Sequence, residues 1–157
     1  MEYEIIIDKL DINEIDIFSN IVNNVFDEFV GIDYSEEGNK TFKDFIDPKN
    51  VLERWNNNCN VCFVAKYNNE IIGILEIKNY DHISLFFVKK DFHNKGIGKK
   101  LFDYYINTIK KGNSVLNNIT VNSSIFAEKI YSKLGFIKTN EIQEKNGIKF
   151  IPMEYKI

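Results

Sequence analysis

The chain has 157 residues, 44% hydrophobic and 14% aromatic, which suits a single folded domain with its own core and excludes a disordered chain. A formal net charge of -3 and a pI near 5.5 provide no global field to draw the molecule onto nucleic acid or an anionic membrane, so any anion site must be local. No apolar run approaches a membrane span, and acids flank the apolar run in "MEYEIIIDKLD", so the expectation is one cytoplasmic domain over 1–157 with no nucleic-acid or membrane partner.

"EYEIII" reads as a first strand. "DINEIDIFSNIVNNVFDEFV" reads as an amphipathic helix capped by Asp11, with Ile15, Phe18, Val22, Val25, Phe26 and Phe29 on one stripe. The acid-rich segment 33–58 holds helical pieces near "EEGNKTFKDFI" and "PKNVLERW", where Pro48 suits a helix start. Cys59 and Cys62 form a CxxC, but Cys62 sits inside the strand-like "VCFVAKY" and zinc would need two further ligands. Reduced thiols and no metal are expected.

"VCFVAKY", "IIGILEIK" and "HISLFFV" are separated by the turns "NNE" and "NYD", which predicts an antiparallel meander. "GIGKKLFDYYINTIKK" is a helix with Leu101, Phe102, Tyr105 and Ile109 inward and Gly112 just past its end. "NNITVNS" is a short buried strand, and "IFAEKIYSKL" a helix stopped by Gly135 with Phe136 behind it. The strands "FIKTNEI" and "GIKFIPMEYKI" close the chain around an Asn146-Gly147 turn. The sum is a mixed α/β domain with helices packed on a sheet.

In "KKDFHNKGIGKKL" two glycines one residue apart stand among lysines, between a strand and a helix. A Walker A loop fails, because His93 occupies the place of its first Gly and Lys100 that of the magnesium-binding Ser or Thr. A dinucleotide fingerprint lacks its third Gly at Leu101. What remains is an anion nest of backbone amides, a helix dipole and Lys95, Lys99 and Lys100, or else a Gly-containing helix start with solvated lysines.

"LFFVKKDFHNKGIGKKLF" resembles the acetyl-CoA signature of the GNAT superfamily of N-acetyltransferases: a strand running into a Gln/Arg-x-x-Gly-x-Gly/Ala loop and a helix. Gly96 and Gly98 match, with His93 where Gln or Arg is usual. "ITVNSSIFAEKIYSKLGF" resembles a second block of that family through Ala127, Tyr131 and Gly135-Phe136. The resemblance spans essentially the whole chain and is weakest over 33–58, a region that in such proteins helps form the acceptor side. It implies a mixed, mainly antiparallel central sheet flanked by helices, and acetyl-CoA as cosubstrate without a metal. Phe86, Phe87 and Val88 would pair by their backbone with the pantetheine arm. His93 and the amides of Asn94, Lys95, Gly96, Ile97, Gly98 and Lys99 would hold the pyrophosphate, and Asn122 and Ser124 would flank the arm.

Acetyl transfer from a thioester to an amine needs a neutral amine, a polarised carbonyl and a proton for the leaving thiolate. The resemblance makes Tyr131 the proton donor, whereas helical periodicity alone reads it as a core tyrosine. His82 stands where histone-type members carry an acidic base, and is otherwise a turn-edge histidine after "NYD". Glu76 is the alternative base, or a polar residue on a solvated face. Strand amides would polarise the carbonyl. Asp27, Glu28, Asp33, Glu36 and Glu37 either attract a cationic amine or form a solvated helix face. The acceptor implied is a small molecule or a peptide or protein, and the assembly a monomer or homodimer. A non-catalytic acetyl-CoA sensor of the same fold is the alternative function, and a purely structural domain leaves the Gly-Lys loop unexplained.

Overall fold

The computed structural model describes residues 4–57, 59–112 and 115–157. Its elements run β1 (Ile6–Lys9), α1 (Ile15–Phe29), α2 (Glu36–Phe45), α3 (Pro48–Asn57), β2 (Asn60–Tyr67), β3 (Glu70–Lys78), β4 (His82–Val88), α4 (Ile97–Lys111), β5 (Asn118–Ser123), α5 (Glu128–Leu134), β6 (Ile137–Lys138), β7 (Gln143–Lys145) and β8 (Ile148–Lys156). Glu2 and Tyr3 of the expected first strand, and Asn58 at the end of the acid-rich segment, lie outside the described residues.

The strands form one sheet in the order β1-β2-β3-β4-β5-β8-β6, with β7 added to β8. Every neighbouring pair is antiparallel except β4 and β5. Strands buried on both faces read as unbroken apolar runs, and β2 and β3 do so here. In β2, Phe63 and Ala65 face a core shared with α4 and Tyr131 of α5, while Cys62 and Val64 face a core shared with α1 and α3. The expectation that β5 is buried is corrected: Ile119, Val121 and Ser123 are buried but Asn118, Thr120 and Asn122 exposed, so only one face is covered.

Local chemistry explains most element ends. Asp11 closes a capping box with Glu14 over a tight turn, Ile12–Glu14, and α1 begins after it, slightly later than the sequence suggests. The last helix is also shorter than expected, because residues 125–127 form a turn. Its end is a Schellman motif: Gly135 has φ +109, Phe136 N–H donates to Tyr131 C=O (3.0 Å) and Gly135 N–H to Ser132 C=O (3.1 Å). The strand expected over "FIKTNEI" is corrected: only β6 forms within it, 139–142 are not strand, and a further short strand, β7, follows just after it. Both pair with β8, the second through the Asn146-Gly147 turn, where both residues have positive φ.

Candidate active site

The site begins with a defect in the sheet. Strands β4 and β5 pair only at His82↔Thr120 and Ile83↔Val121, with Thr120 N–H also donating to Asp81 C=O (2.9 Å). Beyond that closed end the two strands have no register, so the backbone edge of β4 from Ser84 to Val88 faces a gap. A bulge coincides with this point. β4 pairs with β3 as Ile77↔Ile83 and then Glu76↔Leu85, leaving Ser84 as the extra residue. The extra residue reverses the strand's parity: Ile83, Phe86 and Val88 pack on the α4 side, whereas Leu85 and Phe87 pack on the α1 side. Phe86 and Phe87 therefore line opposite faces of the gap.

The loop after β4 delivers the N-terminus of α4 to the same place. Asn94 (φ +60) and Gly96 (φ +77) adopt left-handed backbone, and a Cβ on Gly96 would have no atom within 4 Å, so this cradle opens outward. The helix's first rung is Lys100 N–H to Gly96 C=O (3.1 Å). The amides of Ile97, Gly98 and Lys99 precede it and have no carbonyl within the helix to bond. A Cβ on Gly98 would lie 3.6 Å from the Phe86 ring, which places the loop directly over the gap. Gly73, which the sequence reading passed over, lets α4 approach: its Cβ would meet Leu101 at 3.1 Å and Ile97 at 3.3 Å. An isolated glycine inside "IIGILEIK" is the signal that could have found it.

Three of the loop's side chains are committed elsewhere. His93 turns back, its Nε2 lying 2.7 Å from Val88 C=O, so that nitrogen carries the proton and donates. Its ring also packs on Phe29 (5.1 Å between centroids). Lys99 pairs with Asp103, and Lys95 lies over the Phe92 ring. The anion site therefore rests on amides and the helix dipole more than on lysine charge.

Tyr131 projects from α5 against Phe86 (6.0 Å, edge to face) and Phe136 (5.3 Å). Burial pushes its phenol up, so it stays protonated at neutral pH. Its hydroxyl is not among the sealed, unpartnered polar atoms found in the interior of the described residues, which are Ser19 Oγ and Asn60 Oδ1. His82 sits at the closed end of the gap with Nδ1 2.8 Å from Thr120 Oγ. Desolvation first, then Lys78, lowers its pKa against the opposing pull of Asp81, so the ring is neutral at pH 7.

Glu76 is not on a solvated face, and that expectation is corrected. It is fully buried, 0% exposed, because the α1–α3 layer covers this side of β3. Arg54 grips both carboxylate oxygens (Nη2 2.9 Å, Nε 3.3 Å) and Trp55 Nε1 donates at 3.1 Å. Asn122 is exposed at the end of β5. Ser124 Oγ accepts from Ala127 N–H (3.2 Å), shaping the turn into α5. Phe126, in that turn and unremarked in the sequence, lies 4.9 Å from Phe29. A separate groove of about 700 Å³ runs beside α1, where Glu28 and Lys90 pair, and Tyr131, Phe86 and Gly98 do not line it.

The acetyltransferase (GNAT) domain model matches residues 30–157. The chain belongs to the GNAT acetyltransferase family. Solved structures agree on the fold. A GCN5-related N-acetyltransferase from Rhodopseudomonas palustris superposes with a TM-score of 0.83 at 18% identity, covering 100% of this chain and 99% of that one. The PaiA N-acetyltransferase from Thermoplasma acidophilum, in complex with coenzyme A, gives 0.77 at 21% identity, covering 98% and 99%. A GNAT-family acetyltransferase from Staphylococcus aureus Mu50 gives 0.75 at 20%, with the same coverage. No curated protein matches the chain in sequence. Among the described residues of this GNAT chain, no cluster of three or more His, Cys, Asp or Glu is arranged to hold a metal, and no helix is long and apolar enough to cross a membrane.

Proposed function

We propose that the protein transfers the acetyl group of acetyl-CoA to a primary amine by direct attack on the thioester. The observation that carries this reading is the convergence of the β4–β5 gap, the open amide cradle of α4 and the Tyr131 phenol around the Phe86 ring. The coenzyme A bound to the Thermoplasma neighbour supports it by likeness of fold.

The residues fit a CoA thioester. Amides of Asn94 to Lys99 and the α4 dipole would hold its diphosphate, and the free β4 edge at Phe86 to Val88 offers the backbone groups an amide-bearing arm needs. Bound there, acetyl-CoA supplies an activated acyl group and a leaving thiolate. Amides of the bulged β4 edge are the donors for charge developing on the carbonyl oxygen. The Tyr131 phenol, uncharged and beside the gap, donates the proton that the departing thiolate takes up. His82, neutral and joined to Thr120, accepts the amine's proton, directly or through water. Glu76 serves the fold: its lone pairs are engaged by Arg54 and Trp55, and it points away from the α4 side of the gap.

Thiol release from acetyl-CoA across a panel of primary amines, with calorimetry in parallel, tests the reading. Turnover with at least one amine and loss of CoA binding in Gly98→Asp support it. CoA binding without turnover by any amine returns the sensor reading, and no CoA binding at all removes both.

A further inference from the structure

The groove beside α1 has no part in the chemistry described above. Asp16, Asn20, Asn24 and Glu28 follow one another at every fourth position of α1 and form one polar bank of it. Beside them the buried Ile21 and Val25 and the exposed Ile17 make an apolar floor. The opposite bank is the turn Lys89–Asp91, which leads out of β4, and Glu28 and Lys90 bridge the two banks (2.6 Å). The volume of about 700 Å³ falls within the range of about 300–1,000 Å³ typical of ligand sites. Among the described residues, the carboxamides of Asn20 and Asn24, the carboxylates of Asp16 and Asp91 and the ammonium of Lys89 take part in no hydrogen bond or ion pair, whereas Asn23, on the neighbouring face, accepts from Lys43.

Spacing decides what such a bank can read. Positions four apart on an α-helix rise by about 6.0 Å. In an extended peptide every second residue turns its N–H and C=O to the same edge, and that repeat is about 6.4–6.8 Å. A carboxamide carries both a donor and an acceptor, so one asparagine can bond the N–H and the C=O of a single residue. Asn20 and Asn24 are therefore placed to bond alternate residues of one extended segment. The side chains of that segment alternate too, one set facing the apolar floor and the other facing solvent. From Asp16 to Glu28 the bank is about 18 Å long, room for about five extended residues. With Glu28 and Lys90 neutralising each other, the carboxylates of Asp16 and Asp91 outweigh the ammonium of Lys89, which favours a basic segment.

We propose that this groove is a docking site for an extended peptide segment of another protein, basic and with apolar residues at alternate positions, held through its backbone by Asn20 and Asn24. A compact amine lacks the paired donor and acceptor repeating at this interval. The site is separate from the gap between β4 and β5, and the inference stands independently of the acetyltransferase reading.

The test is a magnetic-resonance titration of the full chain, labelled with heavy nitrogen, with a pool of end-capped pentapeptides Lys-Φ-Thr-Φ-Lys in which Φ is Val, Ile, Leu or Phe. The side-chain amide signals of Asn20 and Asn24 and the backbone amides of Lys89–Asp91 should shift together and saturate. The same pool N-methylated at every peptide nitrogen keeps the apolar side chains but loses the donors, and should give no saturable shift in the groove. Asn20→Ala/Asn24→Ala, which a helix accepts readily, should weaken binding about tenfold or more, with helical content by circular dichroism unchanged. Absence of any saturable shift with the pool at millimolar concentration overturns the proposal, as do shifts confined to residues outside the groove. Equal affinity in the double variant, or for the N-methylated pool, overturns it as well, by showing that the backbone is not what the groove reads.

Discussion

Tyr131 is held by its neighbours in a way that separates its ring from its hydroxyl. The ring packs against Phe86 and Phe136 whatever the hydroxyl does. Tyr131→Phe should therefore keep both fold and CoA affinity while lowering kcat by about 10²- to 10⁴-fold, the usual reach of general acid catalysis. A rate equal to wild type, with chemistry limiting, would return Tyr131 to the core. His82 makes a different kind of prediction. Its folded pKa lies below the ordinary value, mainly through desolvation, so the charged ring is disfavoured in the native state. For an imidazole lowered in this way the native state binds fewer protons than the unfolded chain, and stability is lost as pH falls below about 6.5. Thermal unfolding of wild type should show that decline, and His82→Asn should flatten it. The same protonation sets a rising limb of kcat/KM below about 6.5 if His82 takes the amine's proton. Measured with two amines of different basicity, a limb that stays fixed and disappears in His82→Ala assigns the base. A limb that moves with the amine shows that free amine reacts without it.

At the scale of elements, the loop before α4 joins two glycines with different duties. Gly96 needs its left-handed backbone, so Gly96→Ala should cost about 1 kcal/mol or more of stability and also weaken CoA binding by reshaping the cradle. Gly98 has ordinary helical surroundings and room beside Phe86. Gly98→Asp should leave the unfolding midpoint nearly unchanged and abolish CoA binding, because it places a negative charge among amides aimed at phosphate. Denaturation and calorimetry on the pair separate the two effects. This loop was legible in the sequence because glycine and helix-start signals are local. So were the meander β2 to β4, with its Asn-rich turns, and the stop of α5 at Gly135-Phe136. The bulge at Ser84 was not legible, since no residue type marks it and only the registers on both sides reveal it. The early end of β6 and the separate start of β7 escaped for a related reason: periodicity over seven residues does not show where a chain leaves one partner edge and returns to it. The close contact between Gly147 and the start of α2 was hidden twice over. Gly38 read as part of a helical piece and Gly147 as a turn residue, each satisfying its local role, and their contact joins segments far apart in the chain.

For the molecule as a whole, the α1–α3 layer must stay fixed on a sheet whose central seam is open, and Arg54–Glu76 is one of the ties that does this. The pair joins α3 to the middle of β3, with Arg54 also bonded to Phe45 C=O at the end of α2 and stacked on the Phe45 ring (3.8 Å). Sequence could not reveal it, because an acid in a strand reads as solvent-facing until the helix that covers it is placed. A buried ion pair adds little net stability over a neutral pair, yet breaking it on one side leaves an uncompensated charge. Arg54→Met should therefore destabilise strongly, by about 3–5 kcal/mol, and Arg54→Met/Glu76→Gln should recover much of that loss, because glutamine keeps an acceptor for Trp55 without the charge. Urea unfolding of wild type, both single variants and the double variant closes the cycle, and a coupling near zero would show that the pair is incidental to the fold. The same four proteins decide Glu76's chemical role. If the carboxylate were the base, the double variant would fold and yet be inactive. If it is the tie described here, activity should return with the fold, which makes recovery of turnover alongside recovery of stability the outcome to look for.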